Sequence, residues 1–276
     1  MATLQNKIDF ALIFTAKNAN PNGDPLGGNR PRTTSDGLGE VSDVCLKRKI
    51  RNRLQAEGNE IFVQMDESNT DGKKSLSERF NDFLATLTKE EQKSKEIVVS
   101  KVCEKWFDVR SFGQVFAFKK RNDNAEVSIG VRGPVTIQSA FSVEPVVIES
   151  IQITKSVNSE PTTDGKKSSD TMGMKHRVNN AVYVTYGSIS PQLAEKTGFT
   201  NDDATTIKNA LVSLFDGDES SARPSGSMQV LKVVWFTHNN KSGQYSSAKV
   251  HNSVKVDNDG NVTIDELDGL QPEIIE

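Results

Sequence analysis

The 276-residue sequence predicts an α+β fold: a split βαβ core interrupted by two large insertions. Three observations predict it. Apolar segments follow one another in the order strand, helix, strands, strand, helix, strand, with the residue period switching accordingly. Two intervals, 58–105 and 154–180, break that order with polar sequence. At 35% hydrophobic and 26% charged residues the chain buries one sizeable core, which argues against full disorder or a coiled coil.

Residues 7–15 (KIDFALIFT) are β-rich and apolar enough on both faces for a central strand. Residues 18–39 hold five Gly, three Pro and four Asn, a composition that opposes regular structure. From Val41 the pattern turns helical: Leu46, Ile50 and Leu54 form one face, while Lys47 and Arg51 project together on its flank with Arg48 near them. In the first insertion a polar loop (ESNTDGKKS) precedes Leu76, Phe80, Phe83, Leu84 and Leu87 at helical spacing, and Lys89–Glu96 reads as a charged, solvated stretch. Hydrophobic order resumes at Trp106, and 113–119, 127–138 and 146–153 read as strands. Residues 154–180 have almost nothing to bury, despite Met172 and Met174, and are expected to leave the core as a long excursion. A strand at 181–189, a helix capped near Thr200 or Asn201 and buried through Ile207, Ala210, Leu211, Leu214 and Phe215, a strand at 228–237 and a hairpin around Ser242-Gly243 complete it. This is the ferredoxin-like order that RNA-recognition modules also use. The expected division is a core in three parts (1–57, 106–153 and 181–250), insertions at 58–105 and 154–180, and an acidic segment at 251–276.

The formal charge is −3, yet it is unevenly spread. From Val254 onward there is one Lys against seven acids, whereas Val44–Gln55 holds five basic residues and no acid. A phosphate-binding surface needs only such a local stripe, so the acidic total does not exclude nucleic acid. No apolar run is long enough to span a bilayer and no export signal is visible, so no membrane association is expected. Cys45 and Cys103 are too few for a disulfide framework or a zinc cage, and a reducing cytoplasm is the expected location.

Three clusters carry candidate chemistry. In Asn18–Arg32 (NANPNGDPLGGNRPR), Asn and Gly tolerate left-handed backbone, so N–H groups can converge on an anion beside a basic helix. The loop is neither a Walker nor a dinucleotide-binding motif, and an ordinary connection with solvated Arg30 and Arg32 is the alternative. In Asp108–Gly113, Asp and Arg two apart on a strand can pair, and residues 110–117 match the RNA-recognition octamer at Arg110, Phe112, Gly113 and Val115 only. In Gly130–Val135, glycines flanking Arg132 point to close approach of another backbone, a ligand's or a bulge's.

Taken together, NANPNGDP, RPR, VSDVCLKRKIR, DVRSFG, VRGPVTIQ and TMGMKHRVNNAVYVTYG, in that order from about residue 7 to 250, resemble the Cas7 family, the backbone subunit of type I CRISPR (Cascade) effector complexes. The branch resembled is Csd2 (type I-C) or the closely related Csh2 (type I-B), with type I-C the expectation. The resemblance implies an RNA-recognition-like palm with fingers (58–105) and thumb (154–180). It implies copies of the chain polymerising as a helical filament along a guide RNA (crRNA), which pairs with target DNA in antiviral defence. Partners would include the other Cascade subunits, both the pre-crRNA processing and the large subunit. No catalysis, cofactor or metal is implied. Carried over by residue, it puts Asn18, Asn20, Asn22, Arg30 and Arg32 at an RNA-facing loop, Lys47, Arg48 and Arg51 on a phosphate-binding helix, and Arg132 and Gln138 on the palm. Lys175 and His176 match the thumb's Gly-x-Lys-His pattern, although Met174 stands where members often have Arg. With Arg110 from the octamer match, and Met172 and Met174 as wedges between bases, these complete the candidate site.

Two rivals stand beside this reading. Relatives in type III systems cut RNA with an Asp, so a metal-dependent ribonuclease using Asp24, with Asp43, Asp108 and His176 as further candidates, is the alternative. Against it, Asp24 lies in Asn-Gly-Asp-Pro, where an Asx turn accounts for it. His238 and His251 lack ligand-like spacing and read as surface or strand residues. A general single-strand binding protein fits the composition equally well.

Overall fold

The computed structural model describes residues 2–120, 123–156 and 172–276, with 119, 120 and 123–127 by backbone alone. In chain order, β1 (Ile8–Ala19) leads into a small hairpin, β2 (Gly23–Asp24) and β3 (Arg30–Pro31), then β4 (Leu38–Val41) and α1 (Asp43–Ala56). Next come α2 (Leu76–Thr86), α3 (Lys89–Lys93), α4 (Lys95–Lys105), α5 (Phe107–Phe112), and a hairpin of β5 (Gly113–Lys120) and β6 (Asp123–Arg132). After them run β7 (Val135–Ile137), β8 (Ala140–Pro145), β9 (Ile148–Thr154), β10 (Met172–Ile189), α6 (Pro191–Thr197), α7 (Asn201–Val212) and β11 (Met228–Thr237). The chain closes with α8 (Ser247–Ser253), β12 (Val254–Val256), β13 (Val262–Ile264) and β14 (Pro272–Ile275).

The main sheet runs β14-β11-β1-β10-β8-β4, with β7 and β9 also on β10. Every pairing in it is antiparallel. Its central strand explains its own sequence. Phe10, Leu12, Phe14 and Ala16 pack with Leu46, Ile50 and Leu54 of α1 and Ile207, Ala210 and Leu211 of α7. The intervening Ala11 and Ile13 pack with Val250, Val254, Leu267 and Leu270. Both faces are therefore dry, which requires a continuous apolar run rather than alternation. Each large side chain so buried contributes roughly 1.5–3 kcal/mol.

A second core draws Phe62 and Phe80 from the first insertion together with Trp106, Val109, Phe116, Ile129 and Val131. Its rings interlock, Phe80 on Phe116 at 4.5 Å and Phe62 on Trp106 at 4.7 Å. The β5–β6 hairpin thus packs with the 58–105 helices, and among the described residues β5 and β6 pair only with each other.

Several expectations are corrected. Residues 108–112 are helical, not a strand, so the octamer comparison at 110–117 falls on a helix and a detached hairpin. The strand at 127–138 is two, because Pro134 has no N–H to donate and ends the β6 ladder. Gly133 does meet another backbone: a Cβ there would lie 2.3 Å from Ser111 O and 2.4 Å from Gly113 N, whereas Gly130 has open space. Part of the solvated stretch 89–96 is helix α3, stabilised by a Thr88–Glu91 capping box. The last strand of the supposed excursion begins at Met172, not 181, because it pairs with β9 from Met172↔Thr154 to Val178↔Ile148. Residues 157–171 lie outside the described residues. Ser242-Gly243 forms a turn before α8 rather than a hairpin. The acidic segment is part of the fold, β14 pairing with β11 while Leu267 and Leu270 cover the sheet.

Candidate nucleic-acid interface

The Asn-rich loop is an ordered hairpin held by its own side chains. Asn18 and Asn29 sit at φ +52° and +61°, the left-handed region that Asn tolerates. Asn22 Oδ1 accepts from both the N–H and the hydroxyl of Ser42, at 3.0 Å each, fixing the hairpin to the cap of α1. Asn20, 3% exposed, donates from Nδ2 to Asn29 O at 2.7 Å, and its Oδ1 has no partner. Gly23 lets the arms close, since a Cβ there would come within 1.9 Å of Asn29 Oδ1. Asp24 forms the expected Asx turn, accepting from Leu26 N at 3.2 Å, and pairs with Arg32 at 3.5 Å.

Across from this hairpin stands the β9–β10 ribbon. Arg30 Nη1 donates to Ser150 Oγ at 2.9 Å, and the same oxygen meets His176 Nδ1 at 2.9 Å. Hairpin and ribbon are thereby linked through Ser150. Beside the link opens a groove of about 360 Å³ lined by Asn20, Asn29, Met174, Lys175, His176, Ser221 and Ala222. Met172 and Met174 are 62% and 54% exposed, with Ile151 and Ile153 also exposed on the paired strand. A two-stranded ribbon with apolar side chains in water is unusual and marks a surface meant to be covered.

The structure thus brings Asn20, Met174, Lys175 and His176 to one groove, with Arg30 joined to it through Ser150. It separates the rest. Lys47 pairs with Asp43 at 3.1 Å. Arg48 donates to Val63 O at 2.7 Å, and burial, then the neighbouring Arg51, pulls its pKa down. Arg51 is taken up by Asp108 at 3.0 Å and lies over the Phe112 ring. Arg110 makes a bidentate pair with Asp203 at 2.8 and 3.0 Å and also donates to Cys103 O. The expected pairing of Asp108 with Arg110 is therefore replaced by two cross-element pairs. Arg132 and Gln138 are exposed at β6 and after β7, away from the groove lining.

Some participants were not legible beforehand. Ser150 and Ser221 carry no motif; only the fold sets them at the groove. Lys49, 4% exposed, faces inward to Asp218, and burial lowers its pKa. His238 and His251 are not surface residues. His238 Nε2 bonds Asp9 Oδ2 at 2.8 Å with both side chains fully buried, and Lys7 reaches the same oxygen at 2.9 Å. Gln244 N donates to His238 Nδ1 at 2.9 Å, so the proton lies on Nε2, facing Asp9. His251 stands 3.6 Å from Asp9 Oδ1 and bonds Gly187 O at 3.0 Å, with its pKa lowered chiefly by burial.

Asp24, Asp43, Asp108 and His176 do not gather: among the described residues no three His, Cys, Asp or Glu are grouped to hold a metal ion. No helix among them is long and apolar enough to cross a membrane.

Fold and groove together define an α+β protein whose central antiparallel sheet is covered on both faces and whose half-buried Lys175 and His176 border, with the exposed Met174, a groove beside that sheet. A family model described as CRISPR-associated protein Cas7 matches residues 6–271, and the chain belongs to that family. The match extends past residue 250, as the packing of the C-terminal segment requires. The chain is similar to a CRISPR-associated protein Cas7 of Haloferax volcanii, 26% identical over 74% of this chain. It spans 62% of that relative's length. Among solved structures it is similar to a chain of a "CRISPR RNA-guided surveillance complex, pre-nicking", with TM-score 0.47 and 15% identity over 83% of this chain and 78% of that one. A chain of a "CRISPR RNA-guided surveillance complex" gives TM-score 0.44 and 19% identity over 83% and 68%.

Proposed function

We propose that the protein is a non-catalytic crRNA-binding backbone subunit of a type I Cascade complex, of the Csd2 (type I-C) branch. The observation that carries the reading is the groove, where the Asn-rich hairpin and the Met-Lys-His strand, about 150 residues apart in sequence, face one another. In this reading the main sheet with α1 and α7 is an RNA-recognition-like palm, the helices after α1 with the β5–β6 hairpin are fingers, and the β9–β10 ribbon is the base of a thumb. The palm's sheet faces are occupied by protein, so RNA tracks along the loop side instead. Lys175 and His176 hold phosphates, joined by Arg30, Arg32, Arg132 and Lys47 along the path. Asn18 and Asn20 admit the backbone closely, Asn22 fixes their hairpin, and Gln138 lies on the palm. Arg48, Arg51 and Arg110 serve the path indirectly by fixing α1 and α5. Met172 and Met174 wedge between bases without reading them. Copies polymerise along the guide in the cytoplasm with the processing and large subunits, and specificity for target DNA comes from base pairing.

The test is expression with its neighbouring genes, purification and extraction of bound nucleic acid. A discrete small RNA bound by several copies is expected; purification free of RNA, or with RNA of random length, overturns the reading. The same material incubated with Mg²⁺ or Mn²⁺ should leave RNA uncut. Metal-dependent products that vanish with Asp24→Ala put the ribonuclease first.

A further inference from the structure

The groove has a second wall to which neither motif nor resemblance gives a role. It is the turn at 220–223. Ser220 N donates to Arg223 O at 2.9 Å and Arg223 N returns a bond to Ser220 O at 3.0 Å, closing a turn with Ser221 and Ala222 at its tip. Among the described residues, the backbone N–H groups of Ser221 and Ala222 have no acceptor. Both residues line the groove together with Lys175 and His176. Ser221 is exposed, so its hydroxyl is also available.

The turn is held from two sides. Ala222 O accepts from Asn20 N at 2.9 Å, docking it on the Asn-rich hairpin. Beneath it Asp218 Oδ2 accepts from Arg223 Nε at 2.8 Å and from the buried Lys49. Arg223 and Lys49 share that carboxylate, and Glu219 beside them offsets the remaining cation. Asp216 and Glu219 precede the turn and do not line the groove.

We propose that the 220–223 turn is a phosphate-binding element of this groove, with the Ser221 and Ala222 N–H groups and the Ser221 hydroxyl receiving one backbone phosphate of a single-stranded RNA. The proposal rests on the groove being the RNA path. Two consecutive free N–H dipoles form a concavity suited to an anion, and they read no base. Such donors need no side-chain ordering, because Asp218 and Asn20 have already fixed the turn. Lys175, in the same groove lining, supplies a cation to the same strand.

The experiment measures binding of a single-stranded RNA by the purified chain, alongside amide NMR of the same mixture. Downfield movement of the Ser221 and Ala222 amide protons on adding RNA is expected; unmoved amides overturn the proposal. Ser221→Ala, which removes the hydroxyl and keeps the N–H, should weaken binding about tenfold, the scale of one hydrogen bond to a charged group. Ser221→Asp, which also sets a carboxylate against the phosphate, should weaken binding by more than about tenfold. Since Ser221 is exposed, both variants should unfold at the parental temperature. If Lys175→Glu weakens binding while Ser221→Asp does not, this wall is wrong and the groove stands. If RNA binds and neither variant matters, the groove itself is wrong.

Discussion

Arg51 Nε donates to Asp108 Oδ2 across 3.0 Å, in a pair where Arg51 is 13% and Asp108 1% exposed. Asp108 also accepts from Phe62 N at 2.7 Å and Val63 N at 3.1 Å, so one carboxylate joins α1, α5 and the start of the first insertion. A residue read as a strand partner of Arg110 is thus the rivet between the two hydrophobic cores.

Removing that rivet leaves the half-buried Arg51 cation, the buried Phe62 N–H and the half-buried Val63 N–H without that acceptor. Asp108→Ala is expected to lose about 3–5 kcal/mol in urea unfolding, the cost of breaking a buried pair from one side. Asp108→Asn, which retains one acceptor oxygen, should lose less. An unchanged midpoint for Asp108→Ala contradicts the assignment.

Arg51, engaged with Asp108, and Lys175, which pairs with no acid among the described residues, should separate in salt titrations. Lys175→Ala is expected to reduce the slope of log affinity against log salt by about 0.7, one phosphate contact on a single strand, for all RNA sequences alike. Arg51→Ala should lower the unfolding midpoint and leave the slope unchanged. The reverse pattern would return α1 to the role of phosphate-binding helix.

Met172 and Met174 can be changed without touching a core, being 62% and 54% exposed. The double variant with Ser at both positions should keep its unfolding temperature. It should lose the regularly spaced reactive nucleotides that chemical probing of bound guide RNA reveals in the parent. A surviving periodic pattern assigns the wedge elsewhere.

Stability should fall on mild acidification because of His251. Its folded pKa is lowered from the ordinary 6.5 by burial, so the unfolded chain binds the proton more readily than the folded one. The stabilisation is complete above about pH 7 and is lost as pH falls through the folded pKa. Asp9 and His238 face the same cluster, and Lys7, 2.9 Å from Asp9, opposes a further charge there. Unfolding temperature measured from pH 7.5 to 5 should decline more steeply in the parent than in His251→Gln, and equal slopes would remove His251 from this role.

The sequence by itself determined the elements whose partners lie within one turn or one strand. Leu46, Ile50 and Leu54 specified α1, KIDFALIFT specified a strand buried on both faces, and Thr200 specified the cap of α7, because periodicity and capping are local physics. It also marked Asn20, Met174, Lys175 and His176, through motifs that survive as short strings. What only the tertiary structure decided is which charges are already engaged. Arg48, Arg51 and Arg110 look as available in sequence as Lys175, yet their acceptors are Val63 O, Asp108 and Asp203. The partners of Arg51 and Arg110 lie 57 and 93 residues away. Likewise Ser150 and Ser221 become groove residues, and Leu267 and Leu270 core residues, only when the sheet assembles. Burial and ion pairing are properties of contacts between distant segments, and no local pattern of residue types encodes them.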